Sequence, residues 1–337
     1  MSLPKKSVSP RDISVDVVRG ISIITMIAAN LAGVMALNAP PMSLRLFGTF
    51  AAPLFIFLSG MMVYVTCKRY PLSHYMIRFG MIWTVALFID WVLEQHSFSS
   101  VDVLWLIGLS LPLCYLFLTK ISSVQIQLIV IALIFAITPL LQAKLGYIDD
   151  PETPFAFDKV TLKHWIIDGW FPLFPWIGFS FLGGVFAHYR TTVTQHKYYG
   201  LVACLILFAG VLIWYFFFDM THSMSRDGYS ELFYPPTIGY MITAIGVIGV
   251  LFYLVQLNPA LKLYRAAIVL GEASLFMYIL QYTLEALIIH PYVASTYPNY
   301  MLSFVALLML LIVVGYGLRY LKSRWTKRPY VIKFLIG

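Results

Sequence analysis

Asp16 and Arg19 stand three residues apart, on one face of a helix, inside text that is otherwise apolar. A pair placed like this serves as a salt bridge tethering the helix start, or as an arginine held ready for a phosphate-bearing ligand. Arg78, one turn into a later helix after His74, offers the same kind of choice, between a headgroup contact and an anion site. Asn30 lies farther along the first helix, about 21 Å from Asp16 at the usual rise per residue. An amide at that depth bonds a neighbouring helix or presents a donor and an acceptor to a polar reactant. Glu272, Gln281 and Glu285 mark another such helix, with Gln281 and Glu285 four apart and obliged to face the bundle or a cavity. Asp90 is a weaker signal, because Trp91 beside it marks an interface.

His164 and Asp168, also four apart, have the residue types and spacing of an acid–base pair. They precede Gly169-Trp-Phe-Pro-Leu-Phe-Pro-Trp176, where Pro172 and Pro175 break the helix entry and Trp170 and Trp176 suit a headgroup belt. His96, Asp102, His222, Asp227, Glu231 and His290 fall on the same side, and most of this set reads as solvated loop residues. Among the fingerprints sought, zinc-ligand spacing, nucleophile elbow, phosphate-binding loop and dinucleotide motif are all missing, so no metal is expected.

The elements that must carry these residues follow from composition. Hydrophobic residues make up 60% of the 337 and charged residues 11%, against roughly 45–50% and 25% in soluble domains. Such a chain cannot cover its surface with polar groups, so its solvent is largely lipid. Apolar stretches of about 20 residues predict an all-α polytopic membrane protein of ten helices. Their limits are 14–37, 45–66, 73–93, 100–119, 123–142, 169–188, 198–218, 236–256, 268–290 and 299–320. Asp16 and Arg19 open the first of these, unlike a cleavable leader. Neither of the two longest polar interruptions, 143–168 and 219–235, is long enough for a separate domain, so residues 1–337 read as one unit. Cys67, Cys114 and Cys204 sit in or at the end of apolar runs and read as small buried thiols.

Charge sets the orientation. With both termini cytosolic, the cytosolic side receives 16 basic residues against one acid, Asp12, and the opposite side five against ten acids. That segregation is a positive-inside signal. The basic tail 321–337 then lies against anionic lipid and needs no nucleic acid. A bacterial inner or plasma membrane is the expected location, with the bilayer as a partner and a homodimer as one assembly compatible with the sequence.

Three stretches carry a resemblance: Asp16-Val-Val-Arg19-Gly20, Met26-Ile-Ala-Ala-Asn30 and Pro53-Leu-Phe-Ile-Phe-Leu-Ser-Gly60. In order, and nearly in spacing, they resemble the opening of the heparan-alpha-glucosaminide N-acetyltransferase family and its bacterial relatives. Phe174-Pro-Trp-Ile-Gly178, Tyr234-Pro-Pro-Thr237 and Gly271-Glu-Ala-Ser-Leu-Phe-Met-Tyr278 look like later family segments, so the likeness spans roughly 11–290. The resemblance implies a membrane acyltransferase that takes an acyl group, usually acetyl, from cytosolic acetyl-CoA to a sugar amine or hydroxyl across the membrane. It implies coenzyme A phosphates at Arg19 and Arg78, with Asp16 beside Arg19, and a carbonyl or the acceptor held by Asn30.

Family members carry histidines where this chain has Asn30 or Gln281, near Thr49, or beyond Asn30 in the stretch that here reads Ala36-Leu-Asn-Ala-Pro-Pro41. Acyl transfer needs a group to take the acceptor's proton, and the candidates left are His164, Asp168, His222 and Glu285. The alternative is a non-catalytic relative acting as transporter, flippase or partner-binding subunit. Paired broken helices of the kind many transporters use are not legible in the sequence.

Overall fold

The computed structural model describes residues 12–35, 40–93, 98–148, 158–192, 198–218, 231–325 and 327–337. His96, His222, Asp227 and residues 36–39 lie outside the described residues.

Helices α1 (Ile13–Val34), α2 (Met42–Thr49), α3 (Ala51–Cys67), α4 (Leu72–Leu93), α5 (Val103–Lys120) and α6 (Val124–Leu145) come first. Next, α7 (Lys159–Lys163) runs through a π turn, His164–Asp168, toward α8 (Leu173–Thr192), followed by α9 (Tyr199–Phe217) and α10 (Ile238–Leu257). Then α11 (Arg265–Gly271) and α12 (Ser274–Leu284) lead through a second π turn, Glu285–Ile289, to α13 (His290–Tyr292), α14 (Tyr297–Arg324) and α15 (Tyr330–Ile336). Among the described residues no strand occurs. Among the described residues, eight helices are long and apolar enough to cross a membrane, α2 and α3 together making one; two bent pairs bring the number to as many as ten. The protein is all-α and multi-pass.

The bends are where the expected spans and the structure differ. The sixth span breaks by 46° between Asp168 and Leu173, and the ninth by 81° between Gly271 and Ser274. The sixth bends because Pro172 and Pro175 remove backbone donors, and Phe174 adopts extended angles. At the ninth, Ala273 leaves helical geometry and frees two carbonyls. Arg19 Nη1 donates to Gly271 O at 3.3 Å and Lys322 Nζ to Glu272 O at 2.9 Å. Arg319 holds the Glu272 carboxylate through two bonds of 3.0 and 3.1 Å. A helix break inside a bundle persists where side chains satisfy the exposed backbone in this way. Two sharply bent helix pairs are therefore present among the described residues, where the sequence showed no paired broken helices.

Helices α1 and α3 are central, whereas α6, α9 and α14 show lipid-type side chains such as Leu133, Phe208 and Leu302 outward. Cys204 also faces outward on α9, so only Cys114 is the fully buried thiol expected. At Gly20 a Cβ would collide with the Ala267 carbonyl, and at Gly271 with that of Asp16, so the α1 and α11 backbones touch directly. Small residues at such crossings are what let membrane helices approach. Asp158 caps α7 by accepting from Thr161 N at 2.8 Å, which holds its carboxyl below the usual carboxylate range.

Candidate functional site

The ends of the helices gather into two faces. Arg190 Nη1 pairs with Asp12 Oδ2 at 3.0 Å, joining the end of α8 to the start of α1. Arg19, Arg190, Arg319 and Lys322 mark this basic face; Asp102, Asp168 and Glu231 lie at the other.

A cavity of about 430 Å³ lies among α1, α3, α4, α5, α11 and α12. Arg19, Arg78 and Lys333 line it at the basic face, and Asn30, Asp102 and Glu231 line it toward the other. The α1 wall is one stripe. Asn30 follows Arg19 by 11 residues, three turns plus about 20°, and about 16 Å of rise. Met26 falls between them on the same stripe and lines the same cavity.

Each polar residue on the wall has a distinct environment. Arg19 Nη1 also bonds Asp16 Oδ1 at 3.3 Å, and Asp16 itself is buried behind it. Asp16 therefore orients Arg19 and does not line the cavity; the tethering salt bridge and the poised arginine are one arrangement. Arg78 Nε is buried with no hydrogen-bond partner, and its guanidinium carbon sits 5.9 Å from the Phe334 ring centroid. Asn30 Nδ2 is likewise buried without a partner, so the interhelical bond open to it is not made by its donor. Buried donors of this kind ordinarily find an acceptor. An anionic, carbonyl-bearing ligand would supply one to both, which fits acetyl-CoA.

The C-terminal segment, expected against lipid, also reaches the cavity. Residues 321–324 complete α14, and α15 folds back onto the bundle, with Ile336 buried. Lys333, Phe334 and Leu335 become part of the cavity wall. Arg328 Nη1 donates to Gly337 O at 3.3 Å, and the backbone there packs against Glu272 O. The physical reason is the break at Glu272, which opens a notch that α14 and α15 fill.

His164 and Asp168 are brought together but not to the cavity. His164 Nδ1 and Asp168 Oδ1 are 2.8 Å apart, Lys163 Nζ is 3.0 Å from Asp168 Oδ2, and Ile148 N donates to the same oxygen at 3.2 Å. Both side chains are almost fully buried, at 1% and 0% exposure, which overturns the expectation of solvated loop residues. What they fasten is the turn leading to α8. Trp165 Nε1 donates to Phe98 O, Trp170 N to Ser100 O and Phe171 N to Val101 O, at 3.0, 2.8 and 2.8 Å. The segment so gripped ends in Asp102. Asp102 and Glu231, also counted as loop residues in the sequence, are 6% and 7% exposed and line the cavity. The signal available for Asp102 was its place at the very start of a span, where an aspartate caps a helix. Its carboxylate makes no cap bond and instead accepts from Tyr278 Oη at 3.1 Å. Gln281 Nε2 and Glu285 Oε1 are bonded at 3.1 Å and wholly buried inside the bundle. Among the described residues no group of three or more His, Cys, Asp or Glu is arranged to hold a metal.

Compared with known protein families, residues 11–219 match the model described as heparan-alpha-glucosaminide N-acetyltransferase, catalytic. That stretch holds Arg19, Asn30, Arg78 and Asp102, and stops short of the two later segments that suggested a likeness to residue 290. A comparison with curated proteins finds no match.

Proposed function

Because the chain belongs to the heparan-alpha-glucosaminide N-acetyltransferase family, we propose that it moves an acetyl group from cytosolic acetyl-CoA to an amine or hydroxyl of an extracytoplasmic saccharide. The observation that carries this reading is one cavity with Arg19 and Arg78 at its basic end and Asn30 farther in. Positive-inside segregation puts the basic end in the cytosol, where coenzyme A is found. Arg19, positioned by Asp16, and Arg78 hold phosphates; the amide of Asn30 donates to the thioester carbonyl. Attack by the acceptor's nitrogen or oxygen on that carbonyl carbon forms the new bond and breaks the C–S bond. The chain's own contribution is to place the two reactants, exclude lipid and accept a proton.

In this reading His164 and Asp168 are positioning residues, because the turn they close carries Trp165, Trp170 and Phe171, which bond the segment leading to Asp102. The location proposed is a bacterial inner or plasma membrane, with the saccharide on the far side. The test is acetyl-CoA binding to the purified protein in nanodiscs. Saturable binding that weakens in both Arg19→Ala and Arg78→Ala supports the proposal; no detectable binding overturns it.

A further inference from the structure

We propose that Asp102 is the general base of the transfer, a role the missing family histidines leave open; this inference rests on the acyltransferase reading above. The reaction needs a proton acceptor at the acceptor end of the cavity. Among the described residues, the carboxylates lining the cavity are Asp102, Glu231 and Glu272. Glu272 is at the basic end, held bidentately by Arg319. Glu231 lies near the positive charge of Arg45 and interacts with it. Asp102 differs from both: its bonded side-chain partner is the neutral hydroxyl of Tyr278, which lines the same cavity.

The backbone around Asp102 is the second, independent observation. Val101, immediately before it, has φ of 60°. A β-branched residue in the left-handed region is an outlier costing about 1–3 kcal/mol, and such strain concentrates at functional sites. Something must hold Val101 there. Phe171 N donates to its carbonyl at 2.8 Å, Trp170 N does the same for Ser100, and Ser99, Ser100 and Val101 are all buried. The turn supplying those donors is the one locked by His164, Asp168 and Lys163. The strained residue thus sets the direction in which Asp102 leaves the loop, and the expected acid–base pair acts one step behind the base.

The step balances with groups already named. An Oδ atom of Asp102 takes the proton of the acceptor O–H or N–H as that atom bonds the acetyl carbonyl carbon. The C–S electron pair leaves on sulfur, and the proton passes from Asp102 to the thiolate, restoring the carboxylate. Tyr278 donates to Oδ2 of that carboxylate, and the proton is assigned to Oδ1.

Asp102→Asn tests this. It preserves shape, so acetyl-CoA affinity should stay within about twofold, while kcat falls by about 10²- to 10⁴-fold, the usual contribution of a general base. Asp102→Ala in the same assay should regain turnover when formate is added, with the acetyl-CoA KM unchanged, an effect a purely structural role would not give. Turnover in Asp102→Asn within threefold of the parent protein overturns the inference, as does loss confined to Glu231→Gln. If Asp102→Asn does not fold, formate rescue of Asp102→Ala decides, and no rescue counts against the proposal. Failure of acetyl-CoA to bind the parent protein would instead sink the acyltransferase reading, so the two failures are distinct.

Discussion

The guanidinium of Arg19 on α1 donates to the carbonyl of Gly271 at the end of α11, 3.3 Å away and 252 residues along the chain. One contact thereby satisfies a carbonyl freed by the helix break and aims a cation at the cavity. It couples the stability of the broken span to the proposed donor site.

Removing either arginine at the basic end should weaken acetyl-CoA binding about tenfold or more, since a hydrogen bond to a charged group is worth about 1.5–3 kcal/mol. Arg19→Lys should recover only part of the loss, because one ammonium would have to meet Asp16, Gly271 and the ligand from a single nitrogen, whereas the guanidinium meets the first two through Nη1 alone. Titration calorimetry on the three variants measures this; equal affinity in Arg19→Ala and the parent would remove Arg19 from the site.

Gly271→Leu should be far more damaging than its distance from Asn30 suggests. A side chain there meets the Asp16 carbonyl and pushes α1 from α11. Thermal unfolding in detergent should shift down by several degrees, and acetyl-CoA binding should fall with it. Gly317→Leu is the control: a Cβ at Gly317 meets nothing within 4 Å, so its melting temperature should hold.

Helix α15 is the least anticipated part of the site. Lys333→Ala with Phe334→Ala should raise the acetyl-CoA KM several-fold, at about one charge-assisted contact's worth of free energy, and leave the saccharide KM alone. A faster enzyme in that variant would mean that α15 obstructs the cavity instead of completing it.

His164→Ala would remove one hydrogen bond from the buried Asp168, which keeps Lys163 and Ile148 N, at a cost of about 1–3 kcal/mol. The expected result is a lower melting temperature, with turnover per folded molecule reduced less than in Asp102→Asn. Abolished turnover at unchanged stability would return His164 to the chemistry itself.

The composition and the charge segregation determined the solvent, the helix count and the orientation expected for the chain, because each is a sum over many residues. Arg19, Met26 and Asn30 were equally accessible, since a single helix fixes their common face by its own geometry. The tertiary structure alone decided the rest. The break at Glu272 depends on Arg319 and Lys322 arriving from another helix. The burial of Asp102 depends on a turn some seventy residues away whose donors meet Ser100 and Val101. The histidine and aspartate spaced like an acid–base pair are buried in that turn, away from the cavity wall, because where a polar pair sits depends on packing between distant segments.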